Sequence, residues 1–341
     1  MHAHTKRALA VLLACLAANP AVAALYCVNS AASYTSALAD AAASTVPDTI
    51  RIVGGDYALT SGGSHSNFGT GNTGSLLVDG GWAAGCASRS QVRTRLDGQN
   101  TVRALRISSP AASSITIRNI DFLFGLSTNN RGGGLSISTD NDVVVEGCYF
   151  IGNRADDFAG ALSIGTAGTI KLRNNVFAAN DAAVSGAIEL VANGAEAWVI
   201  SNTIVGNRAD VDTAAGGLRI GGGAHFTLSN NILWNNTTGG APDLKADSSH
   251  TRLHNDIGTS TGMPGDVASV GNVSVEPQFT PCGFLCLSIS LARSSPLVDT
   301  GINAAPGGLS TTDIFGKPRI IATTVDIGAH ELDELFIDGF D

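Results

Sequence analysis

Arg118, Glu146, Lys171, Arg173 and Trp198 are the residues whose types and spacing suit chemistry. Cations, a carboxylate and an aromatic ring can hold a sugar chain, the ring by stacking and the charged groups by hydrogen bonds. They belong together because of a repeat. Seven residues before Gly125, Asn153, Asn180, Asn207 and Asn236 the chain reads Arg118, Glu146, Arg173, Ile200 and Ser229. Nine residues before them it reads Thr116, Val144, Lys171, Trp198 and Thr227. If the copies stack, these positions form one outward strip, with Asp140 and Asp142 just upstream. A second reading stands beside the first: opposite charges on adjacent strands stabilise a sheet by a few tenths of a kcal/mol, with no ligand involved.

Catalysis asks for more. A lyase acting on uronate polymers needs a carboxylate cluster for Ca²⁺ and a basic residue. Glycoside hydrolysis needs paired carboxylates across the scissile bond. Asp156 and Asp157 are adjacent, but Asp210 recurs at the position of Asp156 two copies later, which assigns it to the repeat's turn. His250 and His254 read as loop residues rather than as a metal pair. No P-loop occurs. The expectation is a protein without catalysis, metal or cofactor, serving an adhesive, structural or glycan-binding role. The alternative is a polysaccharide lyase or glycoside hydrolase built around Glu146, Lys171 and Arg173.

The elements that position the strip come from the same repeat. Its closing positions are spaced 28, 27, 27 and 29 residues apart, a period that signals a stacked array. Each copy carries an aliphatic pair two residues apart: Ile115/Ile117, Val143/Val145, Ile170/Leu172, Ala197/Val199, Phe226/Leu228. A period of two puts both side chains on one face of a strand. Phe122, Phe150, Phe177, Ile204 and Leu233 follow, and then small-residue turns such as Gly133-Gly134 and Gly160-Ala161. Asn175, Asn202 and Asn231 share a column in which Cys148 precedes them, so Cys148 reads as a structural corner residue. Stacked Asn amides can bond to each other along such a column. The spacing predicts an all-β fold, a right-handed parallel β-helix over 61–260, with handedness from the rule for parallel crossovers. Residues 24–60 form an N-terminal cap with a helix from Ser30 to Ser44, because an uncapped first coil would expose a sheet edge. Residues 61–74 and 258–272 read as loops. Residues 261–331 form a closing segment, and 332–341 an acidic-hydrophobic tail.

The N-terminus sets the expected compartment. Lys6 and Arg7, the apolar stretch from Ala8 to Ala18 and Ala21-Val22-Ala23 make a signal peptide of residues 1–23, too short to span a membrane. The expected location is secreted or outer-surface associated, of the Gram-negative type, and the expected state a monomer. Loss of Lys6 and Arg7 leaves 18 basic residues against 29 acidic ones, a net charge of −11. That balance excludes nucleic acid as a partner and leaves a polysaccharide or surface glycan. In an oxidising compartment Cys27–Cys86 and Cys282–Cys286 are the expected disulfides.

Two resemblances add to this. Phe150-Ile151-Gly152-Asn153 and Phe177-Ala178-Ala179-Asn180, with Gly160-Ala161-Leu162 and Gly186-Ala187-Ile188, resemble the paired motif of the chlamydial polymorphic outer membrane proteins. Those are β-helix autotransporters that act in adhesion; with about 80 residues after the repeats, self-export through a β-barrel translocator of that family is not expected. The end of the chain resembles the choice-of-anchor Q type of secreted bacterial β-helix protein. The residues are Ser295-Pro296-Leu297-Val298-Asp299-Thr300-Gly301, Asp313-Ile314-Phe315-Gly316-Lys317-Pro318-Arg319 and Val325-Asp326-Ile327-Gly328-Ala329-His330-Glu331. This resemblance implies export and an anchoring or sorting tail, and no specific activity.

Overall fold

The aliphatic pairs do lie on one face of short strands, and that face points inward. Ile115, Ile117, Val143, Val145, Ile170 and Leu172 are all buried, while the residues between and after them are partly exposed. A computed structural model describes residues 23–67, 74–110, 114–128, 130–211, 215–236, 242–266, 268–281 and 288–332. The leader up to residue 22, Cys282, Cys286 and the tail beyond Leu332 lie outside the described residues.

Every strand pairs in parallel with its equivalent one coil away, giving sheets of nine, eight, eight and four strands. The first sheet runs from Ala24–Val28 through Ser114–Arg118, Asp142–Glu146, Ile170–Arg173 and Glu196–Ile200 to His250–Leu253. The second includes Ile120–Leu123, Tyr149–Ile151 and Val176–Ala178. The third includes Leu135–Thr139 and Leu162–Thr166. Registers match the repeat columns: Ile115 opposes Val143, Val143 opposes Ile170, and Ile170 opposes Ala197.

Identical side chains therefore stack. The rings of Phe122 and Phe150 are 4.8 Å apart and those of Phe150 and Phe177 4.6 Å, nearly parallel in each case. Two buried amide columns run beside them. Asn202 Oδ1 accepts from the backbone N–H of Asn175 at 3.0 Å and from its side-chain amide at 2.9 Å. Asn180 does the same for Asn153, and Asn207 for Asn180. The second amide hydrogen of Asn175 reaches Val145 O, so both hydrogens of that buried amide are met. Cys148 opens the first column: its N–H donates to Asn175 Oδ1, and its thiol is buried and pushed up to about 12, chiefly by burial.

The corner between first and second sheets needs a left-handed residue in each coil. Asn119, Gly147, Asn174, Ser201 and Asn230 all have φ between 51° and 66°. Asn and Gly tolerate that region best, and the backbone thereby turns without breaking the ladder.

The helix Ala31–Ala43 caps the first coil, held by a Ser30–Ser33 capping box. Its buried Tyr34 donates to Ala104 O at 3.1 Å. Two expected loops contain strands. Within 61–74, Gly63–Ser66 joins the third sheet, with His65 inward. The polar composition hid it, because the helix presses Tyr34 against Gly63 and only a small residue fits there. Within 258–272, Ser260–Gly262 forms the last strand of the same sheet.

The closing segment does not continue the axis. It folds back along the outside of the corner between first and second sheets. Gly328 N donates to Asn230 O, Ala329 N to Thr203 Oγ1, and Asn174 Nδ2 to Thr312 O. Leu291, Leu297 and Ile327 pack on Ala178, Val205 and Ile232, and Ile289, Ile314 and Ala329 on Val176. Outward-facing residues of the repeats are thereby buried a second time.

Candidate functional site

Where the closing segment reaches the middle coils, it faces a loop from the N-terminal coils across a cleft of about 860 Å³. The floor is the strand ends Arg118, Glu146 and Arg173, the corner residues Asn119, Gly147 and Asn174, and Tyr149. One wall is the loop after Leu76–Trp82, contributing Arg89 to Arg93. The other is the turn from Leu309 to Gly316.

The first wall is fastened to the cap. Cys27 and Cys86 form a disulfide, and Arg51 donates to Cys86 O at 2.8 Å. The guanidiniums of Arg51 and Arg89 lie over Trp82, 3.9 and 4.2 Å from the ring centre. The second wall is a turn organised by Asp313. Its Oδ1 accepts from Phe315 N and Lys317 N, and its Oδ2 from Glu331 N. His330 meets the Phe315 ring edge-on at 5.2 Å. Burial lowers the His330 pKa to about 4, so it is neutral at neutral pH.

Beneath the floor lie two carboxylates. Asp79 is fully buried and accepts from Arg89 at 2.9 and 2.6 Å, Arg118 at 3.0 Å and Asn119 at 2.9 Å. Asp121 accepts from Arg93 at 2.6 Å. Burial pushes the Asp121 carboxyl up, with the Arg93 guanidinium opposing. Arg93 also donates to Gly147 O and lies 4.6 Å from the centre of the Tyr149 ring, whose hydroxyl is raised by burial. On the floor itself Arg173 pairs with Glu146 at 3.0 Å.

The five residues of the strip are adjacent in register as expected: Arg118 with Glu146, Glu146 with Arg173, Lys171 with Trp198. The structure divides them. Arg118, Glu146 and Arg173 line the cleft. Lys171 and Trp198 do not; Lys171 lies 5.4 Å from the Trp198 ring centre, and the closing segment packs Gly307 against that ring. Arg89, Arg93, Tyr149 and Phe315 belong to the cleft and were missed. Only the position of Tyr149 could have been found from the repeat, since it opens the second strand beside Phe150.

Among the described residues, no group of three His, Cys, Asp or Glu side chains is placed to hold a metal ion. No helix among them is long and apolar enough to cross a membrane. The family model described as "right handed beta helix region" matches residues 84–233. That match covers the coils whose parallel registers are given above. The fold is a right-handed β-helix. No curated protein and no solved structure matches the chain. Within this β-helix the repeats give the cleft its floor, and its walls come from outside them: a loop on one side, the returning closing segment on the other.

Proposed function

We propose that the protein is an exported β-helix that binds a glycan in this cleft without cleaving it. The observation that carries the reading is the combination of donors and apolar groups across one groove. A sugar presents hydroxyl oxygens around apolar C–H faces. The floor supplies guanidinium and amide donors. The walls supply Val92 and Phe315, which are 56% and 52% exposed and stand among the few large apolar side chains left open to solvent. Apolar side chains beside polar donors in one groove support a binding reading. Export through the leader at residues 1–23 is part of the proposal, and the Cys27–Cys86 bridge suits an oxidising compartment.

Cleavage fits this cleft less well. Glu146 is ion-paired with Arg173. The second carboxylate of the lining, Asp313, has both oxygens engaged by backbone N–H groups. Glycoside hydrolysis requires two carboxyl groups free to exchange protons across the bond. The test is a glycan array probed with the full chain, followed by size analysis of every polysaccharide that binds. The expected result is binding that Phe315→Ala weakens, with polymer length unchanged. Shortened chains would establish an enzyme and overturn the non-catalytic reading.

A further inference from the structure

Resting on the reading of the cleft as a glycan site, we infer that its ligand is an acidic glycan, one carrying carboxylate or sulfate groups along its chain. The argument comes from which charges reach the surface. The side chains of Arg89, Arg118, Arg93 and Arg173 are 45%, 38%, 31% and 23% exposed. The carboxylates that fix the first three are beneath: Asp79, under Arg89 and Arg118, is 0% exposed and Asp121, under Arg93, 9%. A ligand in the groove therefore meets guanidinium edges, while the protein neutralises the cations from below.

Arg118 strengthens this. Among the described residues it bonds to the protein only through Nη2, on Asp79. Its Nη1 makes no bond to the described residues, while its Nε is buried and out of a ligand's reach. The Nη1 hydrogens and the second Nη2 hydrogen remain, and donors set side by side on one planar group match a carboxylate or a sulfate ester better than a lone hydroxyl. The opposing element is Glu146, the one partly exposed carboxylate on the floor, and its Oε2 already accepts from Arg173. The chain as a whole carries −9, so the attraction is confined to the cleft. It acts over about a Debye length, ~8 Å at physiological salt.

Calorimetry on the full chain separates the possibilities, with dextran sulfate, hyaluronan and unmodified dextran as ligands. The expected result is binding of at least one acidic polymer, weaker at higher salt, and little binding of dextran. Binding of dextran sulfate alone assigns sulfate; binding of hyaluronan alone assigns carboxylate. Arg118→Gln is expected to weaken binding roughly tenfold, the order of one charge-assisted hydrogen bond. Glu146→Gln is expected to tighten it. Arg173→Lys, which keeps the charge and loses the fork, serves as a second variant and should fall between wild type and Arg118→Gln. Dextran bound as tightly as the acidic polymers, without salt dependence, would overturn the acidic ligand and leave the glycan site standing. Binding by none of the three, alongside an array without hits, overturns both.

Discussion

Asn180 bonds to Asn153 twice: its side-chain carbonyl accepts from the Asn153 backbone N–H at 2.9 Å and from the Asn153 amide at 3.0 Å. The same pair of bonds links Asn207 to Asn180 and Asn236 to Asn207. The column ends on Asp243, whose Oδ1 takes both Asn236 donors. Asn180→Ala strips both Asn153 donors of their acceptor and leaves Phe150 O without the Asn180 amide that donates to it. Unmet buried groups cost about 1–3 kcal/mol each. Relaxation shares the loss, so the expected destabilisation is roughly 2–4 kcal/mol by urea unfolding. A loss within experimental error would show that the column is decoration.

Phe150 sits between the rings of Phe122 and Phe177 in a core with no exposure. Phe150→Ala is expected to cost about 3–5 kcal/mol, the range for removing a buried ring. Phe150→Leu keeps most of the volume and should cost less than half of that. The comparison is again by urea unfolding. Equal losses would mean that the stack's geometry matters more than its bulk.

The Cys27–Cys86 bridge closes a sequence separation of 59 residues. On the chain-entropy estimate that constraint is worth about 4 kcal/mol. It also anchors the wall bearing Arg89 and Val92. Replacing both cysteines by serine should lower the melting temperature and raise the proteolytic sensitivity of the loop at 83–93, leaving the circular dichroism of the β-helix unchanged. Unchanged cleavage of that loop would show that Trp82 and its two arginines hold it alone.

The closing segment carries buried titratable groups, and they set its pH range. Burial and the Asp326 charge push Glu331 up to about 8, against the pull of Arg319. The folded state thus keeps a proton that the unfolded chain releases near 4.5, so this contribution is full at low pH and disappears as pH rises through 8. His330 runs the other way. Its pKa falls from 6.5 to about 4, and its contribution is lost as pH drops through that interval. Together they leave the segment best held between about pH 4.5 and 6.5. Limited proteolysis should cut residues 297–332 faster at pH 9 than at pH 6, and Glu331→Gln should abolish the difference. Equal rates at the two pH values would contradict the assignment.

The sequence made the coils legible because stacking repeats the same demand in every copy. Ile115, Val143 and Ile170 had to be aliphatic, and Asn175, Asn202 and Asn231 had to be amides, for one reason each. The helix after Ser30 was legible from its cap. The strand Gly63–Ser66 was not, since Tyr34 requires a small neighbour and that neighbour reads as loop. The cleft was half legible. Arg118, Glu146 and Arg173 fall in repeat columns. Arg89, Arg93 and Phe315 reach the same groove from a loop and from a segment that turns back along the outside, and no periodicity marks a return path. For the same reason, nothing in the strip foretold that Gly307 would cover Trp198.

The most direct test of the account is hydrogen exchange on the full chain with and without the best-bound acidic glycan. The account predicts added protection in residues 80–93, 118–119, 146–149 and 309–316, with the recovered glycan at its original length. Protection centred on the outer face near Lys171 and Trp198, or on any other sheet, would contradict the placement of the site in the cleft, and a shortened glycan would contradict binding without cleavage.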